Sequence, residues 1–352
     1  MTSYVGEAGT SFAVPAELSA TVPPEQRGLA RDGVRLLVAT GRRAVSTSFR
    51  HLSRFLCPGD VVVVNTSATR PAAVDVRRGD GADATLHLST VLDDGRWVVE
   101  VRPAGEAATG PAGDVVPGER LLLPAGRSLR VHRPYLDQAT TRPRLWEALV
   151  DRPVHLETYL RRHGRPIRYG YVPERWPLAA YQTVFATEPG SAEMPSAGRP
   201  FSTRLVTDLA TRGVAVAPLL LHTGVSSAEA QEPPYPERYH LPAATARTVN
   251  AARAGGGRVV AVGTTVTRAL ETVADADGWV SPGRGWTDLV LDPSRPARIV
   301  DGLVTGWHQP QASHLLLLEA VAGVDIVQRA YDTAVAEGYL WHGFGDSCLL
   351  LP

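Results

Sequence analysis

The stretch Arg258-Val259-Val260-Ala261-Val262-Gly263-Thr264-Thr265 decides the fold class of this chain. The β-branched apolar run up to Val262 predicts a buried strand, and Gly263 ends it. The hydroxyl of Thr264 or Thr265 can cap a helix that continues with helical periodicity to Val273. A strand, a glycine turn and a capped helix present free backbone N–H donors that suit an anion or a carboxylate. Because many α/β domains contain such a turn without a ligand, the pattern alone favours a binding site and a plain turn about equally.

Composition indicates an ordinary globular protein of 352 residues, long enough for two domains. Lys+Arg and Asp+Glu are both 36, so net charge gives no support for a nucleic-acid partner, although a local basic patch is compatible with it. The two cysteines are far apart and the histidines lack metal-ligand spacing, so we expect no metal site. A polar start and short apolar runs predict a cytoplasmic protein without a signal peptide or a membrane span.

The pattern of apolar and polar residues changes twice along the chain, which predicts two domains. Short alternating runs separated by Gly, Asp and Pro turns predict a small antiparallel β-barrel over residues 66–155. Residues 1–65 and 156–352 form a discontinuous α/β domain with a mixed sheet, because strand and helix patterns alternate there. Within this frame we expect a helix from Leu145 to Arg161 and strands at Tyr181–Ala186 and Ala297–Val300. We expect residues 223–242 to form a long polar loop.

Three clusters of glycine, proline and titratable residues follow predicted strands. The ends of strands are where α/β sheets place ligand chemistry, so the clusters predict one shared pocket but not its reaction. His222 and His308 stand out, because both lie where a predicted strand meets a loop. No phosphate-binding, nucleophile-elbow or zinc-protease motif accompanies them. The clusters are Glu188-Pro189-Gly190 with Pro195-Ser196-Ala197-Gly198, Leu221-His222-Thr223-Gly224, and Asp301-Gly302 with Trp307-His308-Gln309-Pro310.

Residues 165–177 combine cations and aromatic rings. Alternating arginines and rings can stack nucleic-acid bases, although a solvated loop with a few anchored rings is the commoner explanation. The residues concerned are Arg165, Arg168, Tyr169, Tyr171, Arg175 and Trp176.

The ordered set of these segments resembles the S-adenosylmethionine:tRNA ribosyltransferase-isomerase family of queuosine biosynthesis. The resemblance covers most of the chain and is strongest in the C-terminal half. Besides the three clusters and the 258–265 stretch, it rests on Tyr181-Gln182-Thr183-Val184-Phe185-Ala186, Gly285-Trp286-Thr287-Asp288 and Gly345-Asp346, and in the N-terminal half on Pro58-Gly59-Asp60 and Asn65. The family's α/β domain with an inserted β-barrel agrees with the division made above.

The resemblance implies that S-adenosylmethionine is a co-substrate whose ribosyl group is transferred to a 7-aminomethyl-7-deazaguanine base in a tRNA anticodon loop. Epoxyqueuosine forms, and adenine and methionine leave without any metal. The sulfonium acidifies the neighbouring ribose carbon, so a single general base can start the reaction. His222, Asp301 and His308 are the candidates for catalysis. Residues expected to bind the cofactor are Glu188, Pro195, Ser196, Ala197, Gly198, Gly224, Gly263, Thr264, Thr265 and Arg268, with Arg268 or the 263–265 amides holding the methionine carboxylate.

Several loops depart from the family pattern while the scaffold segments are kept. Arg199-Pro200 stands where the family has a histidine, Thr66-Ser67-Ala68 follows Asn65, and Ser226-Ser227-Ala228, Pro233–Tyr239 and Gln309–Ser313 differ as well. Two alternatives therefore stay open beside the family reaction. One is an enzyme that uses S-adenosylmethionine on a small 7-deazapurine-like acceptor or cleaves the cofactor itself. The other is a binding protein without activity.

Overall fold

The computed structural model describes residues 7–105, 110–136, 143–168, 170–225, 234–310 and 312–352. Its α-helices are α1 (Leu156–His163), α2 (Thr203–Thr211), α3 (Ala243–Ala254), α4 (Thr264–Val273), α5 (His314–Ala322) and α6 (Val324–Ala336). Short 3-10 turns occur at Ala16–Leu18, Pro24–Arg27, Arg31–Gly33, Phe49–Phe55, Pro124–Gly126, Leu178–Tyr181 and Ser196–Gly198. The strands are β1 (Arg35–Thr40), β2 (Ala44–Ser48), β3 (Val61–Asn65), β4 (Ser67–Thr69), β5 (Ala73–Arg77), β6 (Asp83–Val91), β7 (Trp97–Pro103), β8 (Arg120–Leu123), β9 (Arg127–Pro134), β10 (Leu145–Val150), β11 (Gly164–Arg165), β12 (Glu188–Ser191), β13 (Ala215–His222), β14 (Glu237–Leu241), β15 (Val259–Val262), β16 (Gly283–Thr287), β17 (Gly302–Thr305) and β18 (Ser347–Leu351).

The larger sheet is mixed and has the strand order β16-β14-β13-β3-β15-β17-β18-β1-β2 among the described residues. Its centre, β13-β3-β15-β17, is parallel throughout, so these four strands end at the same edge. This carboxyl edge is where side chains and loops from different strands can meet.

Two apolar layers cover the sheet. Val61 and Val63 of β3 face one core, and Val62 and Val64 face the other, as the two-residue period of a strand requires. Helix α4 packs on the first face through Val266, Ala269 and Leu270, and α2 covers the second. Burial on both faces explains why the β3 and β15 sequences are continuous apolar runs.

The smaller sheet is a closed antiparallel β-barrel in the order β5-β6-β7-β10-β9-β8, with β8 pairing back to β5. The fold class, a mixed-sheet α/β domain with an inserted barrel, is therefore confirmed. The predicted helix from Leu145 is wrong over its first half. Trp146 and Ala148 point into the barrel core, and β10 closes the barrel between β7 and β9. The domain boundaries at residues 65 and 156 stay a prediction.

Two further strand predictions are wrong. Tyr181 ends a 3-10 turn, and the strand comes later as β12, which pairs with β4. Residues 297–300 contain no strand, because the backbone N–H groups of residues 298–300 donate to the carboxylate of Glu271 on α4. The strand begins only at Gly302. Part of the predicted 223–242 loop is strand β14, and residues 226–233 lie outside the described residues.

Two carboxylates hold the amino edge of the parallel strands. Asp60 accepts hydrogen bonds from the backbone N–H groups of Cys57 and Arg258, each at 2.8 Å, and forms an ion pair with the Arg258 guanidinium at 2.6 Å. Burial raises the pKa of Asp60, but the bonds from Arg258 and Cys57 outweigh it and the net pKa is lowered. Asp301 accepts from the backbone N–H of Val259 at 2.9 Å. Together they fix where β3, β15 and β17 begin.

We expect Asp60→Asn to destabilise the protein by about 2–3 kcal/mol, because a buried, charge-assisted set of hydrogen bonds loses its charge. Denaturant unfolding at pH 7 measures the change. Asp83→Asn, in an exposed ion pair with Arg77, is the matched control and should change stability little. Equal stability of both variants would show that the amino edge does not depend on Asp60.

Candidate active site at the carboxyl edge of the sheet

A cavity of about 750 Å³ opens at the carboxyl edge of the parallel strands. Its wall includes the segments that follow β13, β15 and β17, with contributions from the loop before α2 and from the chain near residue 342. Many of the residues predicted to bind the cofactor lie here: Pro195, Ser196, Ala197, Gly224, Gly263, Thr264, Thr265 and Arg268, together with the catalytic candidate His308.

The start of α4 faces this cavity. Gly263 is the N-cap residue and has φ 92°, a left-handed conformation that glycine adopts without strain. Its carbonyl accepts the Thr267 N–H at 3.2 Å, so the helix ladder begins there. The N–H groups of Thr264, Thr265 and Val266 are the first-turn donors that a helix cannot satisfy itself. The threonine hydroxyls were predicted to cap this helix, and they do not.

Arg268 lies in the cavity wall, but its guanidinium binds other groups of the protein. Its guanidinium donates to the carbonyls of Leu289 (3.0 Å), Thr287 (3.1 Å) and Tyr235 (3.2 Å) and forms an ion pair with Glu237. The arginine therefore ties β14 and the chain after β16 to α4. The backbone amides of residues 264–266 are better placed than Arg268 to hold a ligand carboxylate.

Three histidines line the cavity: His308, His314 and His342. The rings of His308 and His314 stack with centroids 4.7 Å apart, and His342 stacks on Tyr171 at 3.9 Å. Burial lowers the pKa of His314 and of His342 to about 4. For His308, burial followed by the proximity of His314 and His342 holds the pKa well below 6.5. All three imidazoles are neutral at pH 7.

The backbone and ring of His308 are both fixed. Its N–H donates to the Tyr331 hydroxyl at 3.2 Å, and its carbonyl accepts from the indole of Trp341 at 3.0 Å. Its Nε2 lies 3.1 Å from Thr305 Oγ1, whose own proton is donated to the carbonyl of Gly306. A Thr305 hydroxyl that donates to Gly306 goes with the tautomer that carries the proton on Nε2, in which Nδ1 is the basic nitrogen.

His222 is not among the residues that line the cavity. Its Nδ1 is 2.7 Å from Ser67 Oγ, which in turn contacts Ser191 Oγ at 2.6 Å. A Cβ at Gly190 would fall 1.9 Å from this Nδ1, so the imidazole fills the space beside that glycine. Burial, followed by the charges of Arg70 and Arg238, lowers the pKa of His222 to about 4. His222 therefore supports the wall as a neutral ring.

Three other predicted residues do not reach the cavity. Asp301 comes before β17 rather than after a strand, so it lies at the opposite edge, about 13 Å along the strand from Thr305. Glu188 is exposed on β12. Gly198 packs against Thr183, 3.3 Å from where its Cβ would be. Assigning Asp301 to the pocket followed from the misplaced strand at 297–300.

Several residues that differ from the family pattern make defined contacts in the described part of the structure. Arg199 is 2% exposed, forms an ion pair with Glu25 at 2.8 Å and donates to the carbonyl of Ala180. Ser67 contacts His222, and Gln309 lies in the cavity wall with its amide nitrogen 3.1 Å from His342 Nε2. Residues 226–228 and Gln311 lie outside the described residues, as does Tyr169.

Sequence reasoning missed His314, His342, Glu193 and Glu237, which line the cavity. His314 begins α5, and His342 has φ 74°, unusual for a residue other than glycine. His308 and His314 are six residues apart in the sequence, so one helical face cannot present both rings. The same spacing is compatible with a loop that turns one ring onto the other, as the structure shows.

Comparisons with known proteins show the family of the chain. Residues 9–350 match the family model described as queuosine biosynthesis protein. The chain belongs to this family. It is 37% identical to the S-adenosylmethionine:tRNA ribosyltransferase-isomerase of Symbiobacterium thermophilum, covering 97% of this chain and 98% of the relative. Identity to the enzyme of the same name from Moorella thermoacetica is 36%, over 91% and 94% of the two chains. The crystal structure of S-adenosylmethionine tRNA ribosyltransferase from Thermotoga maritima superposes with a TM-score of 0.52 at 28% identity, covering 97% of this chain and 99% of that one.

The described residues hold neither a candidate metal site nor a helix that could cross a membrane. No group of three or more His, Cys, Asp and Glu side chains is placed to hold a metal ion. No helix there has the length and apolar character needed to cross a membrane.

The buried histidines predict acid sensitivity. A folded pKa below the unfolded value of 6.5 means that the unfolded chain binds more protons, so stability falls as pH decreases from 6.5 towards 4. We expect His314→Gln to flatten this dependence by up to about 1.4 kcal/mol per pH unit. Denaturant unfolding at pH 7, 6 and 5 measures it. His132→Gln, at an exposed position of β9, should keep the wild-type slope. An unchanged slope in His314→Gln would contradict burial of a neutral ring.

Proposed function

We propose that this protein transfers and isomerises the ribosyl group of S-adenosylmethionine onto 7-aminomethyl-7-deazaguanine in tRNA. Epoxyqueuosine is the product, and adenine and methionine leave. Near-full-length identity to enzymes of that name supports the reaction. The single structural observation that carries it is the cavity at the carboxyl edge, which joins helix amides, carboxylates and neutral histidines. No observation favours the small-molecule acceptor, and a reaction on tRNA accords with a cytoplasmic protein.

The cavity suits a donor that carries both a carboxylate and a sulfonium. The amides of residues 264–266 and the positive end of α4 would hold the methionine carboxylate. With its histidines neutral, the described part of the lining has a formal charge of −1, from Glu193, Glu237 and Arg268. A cation is stabilised by such a lining. Pro195, Ser196, Ala197 and Gly224 complete the wall around the nucleoside.

His308 is our candidate for the general base. In the tautomer that carries its proton on Nε2, Nδ1 can take the acidified proton of the ribose carbon next to the sulfonium. A low pKa keeps the ring unprotonated while a cationic donor is bound. His222 is left as a support of the wall, and Asp301 as part of the amino-edge clamp.

The reaction is tested by incubating the protein with S-adenosylmethionine, with and without an RNA hairpin that carries the modified base. We expect adenine and methionine to appear in equal amounts, and only when the RNA is present. Chromatography measures both products. Release without RNA would instead support cofactor cleavage, and binding without release in either tube would support a protein without activity.

A pair of variants tests the assignment of the base. We expect His308→Asn to lower kcat by about 10²–10⁴-fold, the usual contribution of general-base catalysis, while calorimetry still detects donor binding. Asp301→Asn is the matched control and should retain kcat, because its carboxamide oxygen can still accept the Val259 N–H at the far edge. Loss of turnover in Asp301→Asn with wild-type turnover in His308→Asn would reverse the assignment.

A further inference from the structure

A second, smaller cavity of about 170 Å³ lies between the β-barrel and the segment 165–176. Strands β5, β6 and β7 form its barrel side through Asp75, Thr85 and Arg102. The arginine- and aromatic-rich segment noted in the sequence forms the other side through Arg165, Arg168, Arg175 and Trp176.

The lining is strongly basic in a chain with no net charge. Among the described residues of the lining, four arginines face one carboxylate, that of Asp75. A concave patch of guanidinium groups is a site for phosphate oxygens, which they bind through paired, charge-assisted hydrogen bonds.

The arginines are held in position by the protein. Arg165 donates to Asp75 at 2.6 Å and to Thr85 at 3.3 Å, and Arg102 donates to the buried carboxylate of Glu100 at 3.2 Å. Arg168 donates to the carbonyls of Val172 and Pro173. A site with its side chains fixed in advance loses less entropy when a ligand binds.

Trp176 adds a ring and an unsatisfied donor. Its indole Nε1 is buried and has no hydrogen-bond partner among the described residues. Trp176 therefore lines the cavity with its ring, while its buried nitrogen is not exposed to a ligand.

The position of this cavity relates it to the larger one. Tyr181 lines both cavities, with its ring packed against Phe344 at 5.3 Å. The two cavities therefore share a wall residue, which suits two neighbouring parts of one RNA strand.

We propose that the arginine-lined cavity binds a phosphodiester of the RNA substrate, next to the nucleotide whose base enters the larger cavity. This inference rests on the proposed function, because it takes tRNA as the acceptor. It gives residues 165–176 a role in positioning the strand rather than in chemistry.

Two substitutions test the proposal in the full-length protein: Arg175→Gln and Arg165→Gln. We expect each to weaken binding of the modified RNA hairpin about ten-fold and to reduce the slope of log affinity against log salt by about 0.7–1, as for one lost phosphate contact. KM for the RNA should rise while kcat at saturating RNA stays near the wild-type value. Fluorescence anisotropy at several salt concentrations and steady-state kinetics measure these effects.

Controls separate this proposal from folding and from the activity itself. Arg130→Gln, at an exposed position of β9, which pairs with neither β5, β6 nor β7, should keep wild-type RNA affinity. Arg165→Lys should restore part of the salt slope, and calorimetry should give unchanged affinity for S-adenosylmethionine in every variant. RNA affinity and salt slope unchanged in both glutamine variants would overturn the inference. If the wild-type protein released no adenine from S-adenosylmethionine in the presence of the modified RNA, the proposed function itself would be contradicted.

Discussion

The site depends on one constraint, which is that the parallel strands β3, β15 and β17 begin at the same level in the sheet. Asp60 ties the beginning of β3 to the beginning of β15, and Asp301 ties β17 to Val259 beside it. Because Val61, Val259 and the residue before Gly302 are held level, the strands also end level, at Asn65, Val262 and Thr305. The carboxylates of one edge thereby determine which loops meet at the other. Glu271 extends this control, since it holds the chain that leads into β17 against the helix whose first turn faces the cavity.

The cavity separates charge in a way that suits its chemistry. Backbone amides at the start of α4 supply positive potential without a side chain, and Glu193 and Glu237 supply negative charge on the lining. Three histidines add ring nitrogens without charge, because burial keeps them neutral. Arg268, the one arginine of the lining, is occupied by three carbonyls and Glu237. Under the proposed function, a donor that carries a carboxylate and a sulfonium would meet charges of opposite sign in this lining, and a neutral histidine would act as the base without prior deprotonation.

Much of the fold follows from the sequence, because periodicity is strong where burial is two-sided or where a helix has one apolar face. The run to Val262 and the helix after Gly263 were predicted for this reason, and so was the β-barrel. Its strand β10 was mistaken for helix, because its register is set by β7 and β9 rather than by local preference. The site was predicted less well. A strand displaced by a few residues moved Asp301 to the wrong edge, and the approach of His314 and His342 to His308 depends on loops and on a left-handed backbone at residue 342, which no spacing records.

The close contact between Gly190 and His222 has a consequence for how this protein can diverge. The imidazole already occupies the volume that the first carbon of any side chain would need at position 190. Even an alanine at position 190 would displace the imidazole from its contact with Ser67. We therefore expect substitutions at this position to be disfavoured whatever acceptor the enzyme uses. Invariance of position 190 among descendants of this sequence would report a steric exclusion, and it would carry no information about which atoms take part in the reaction.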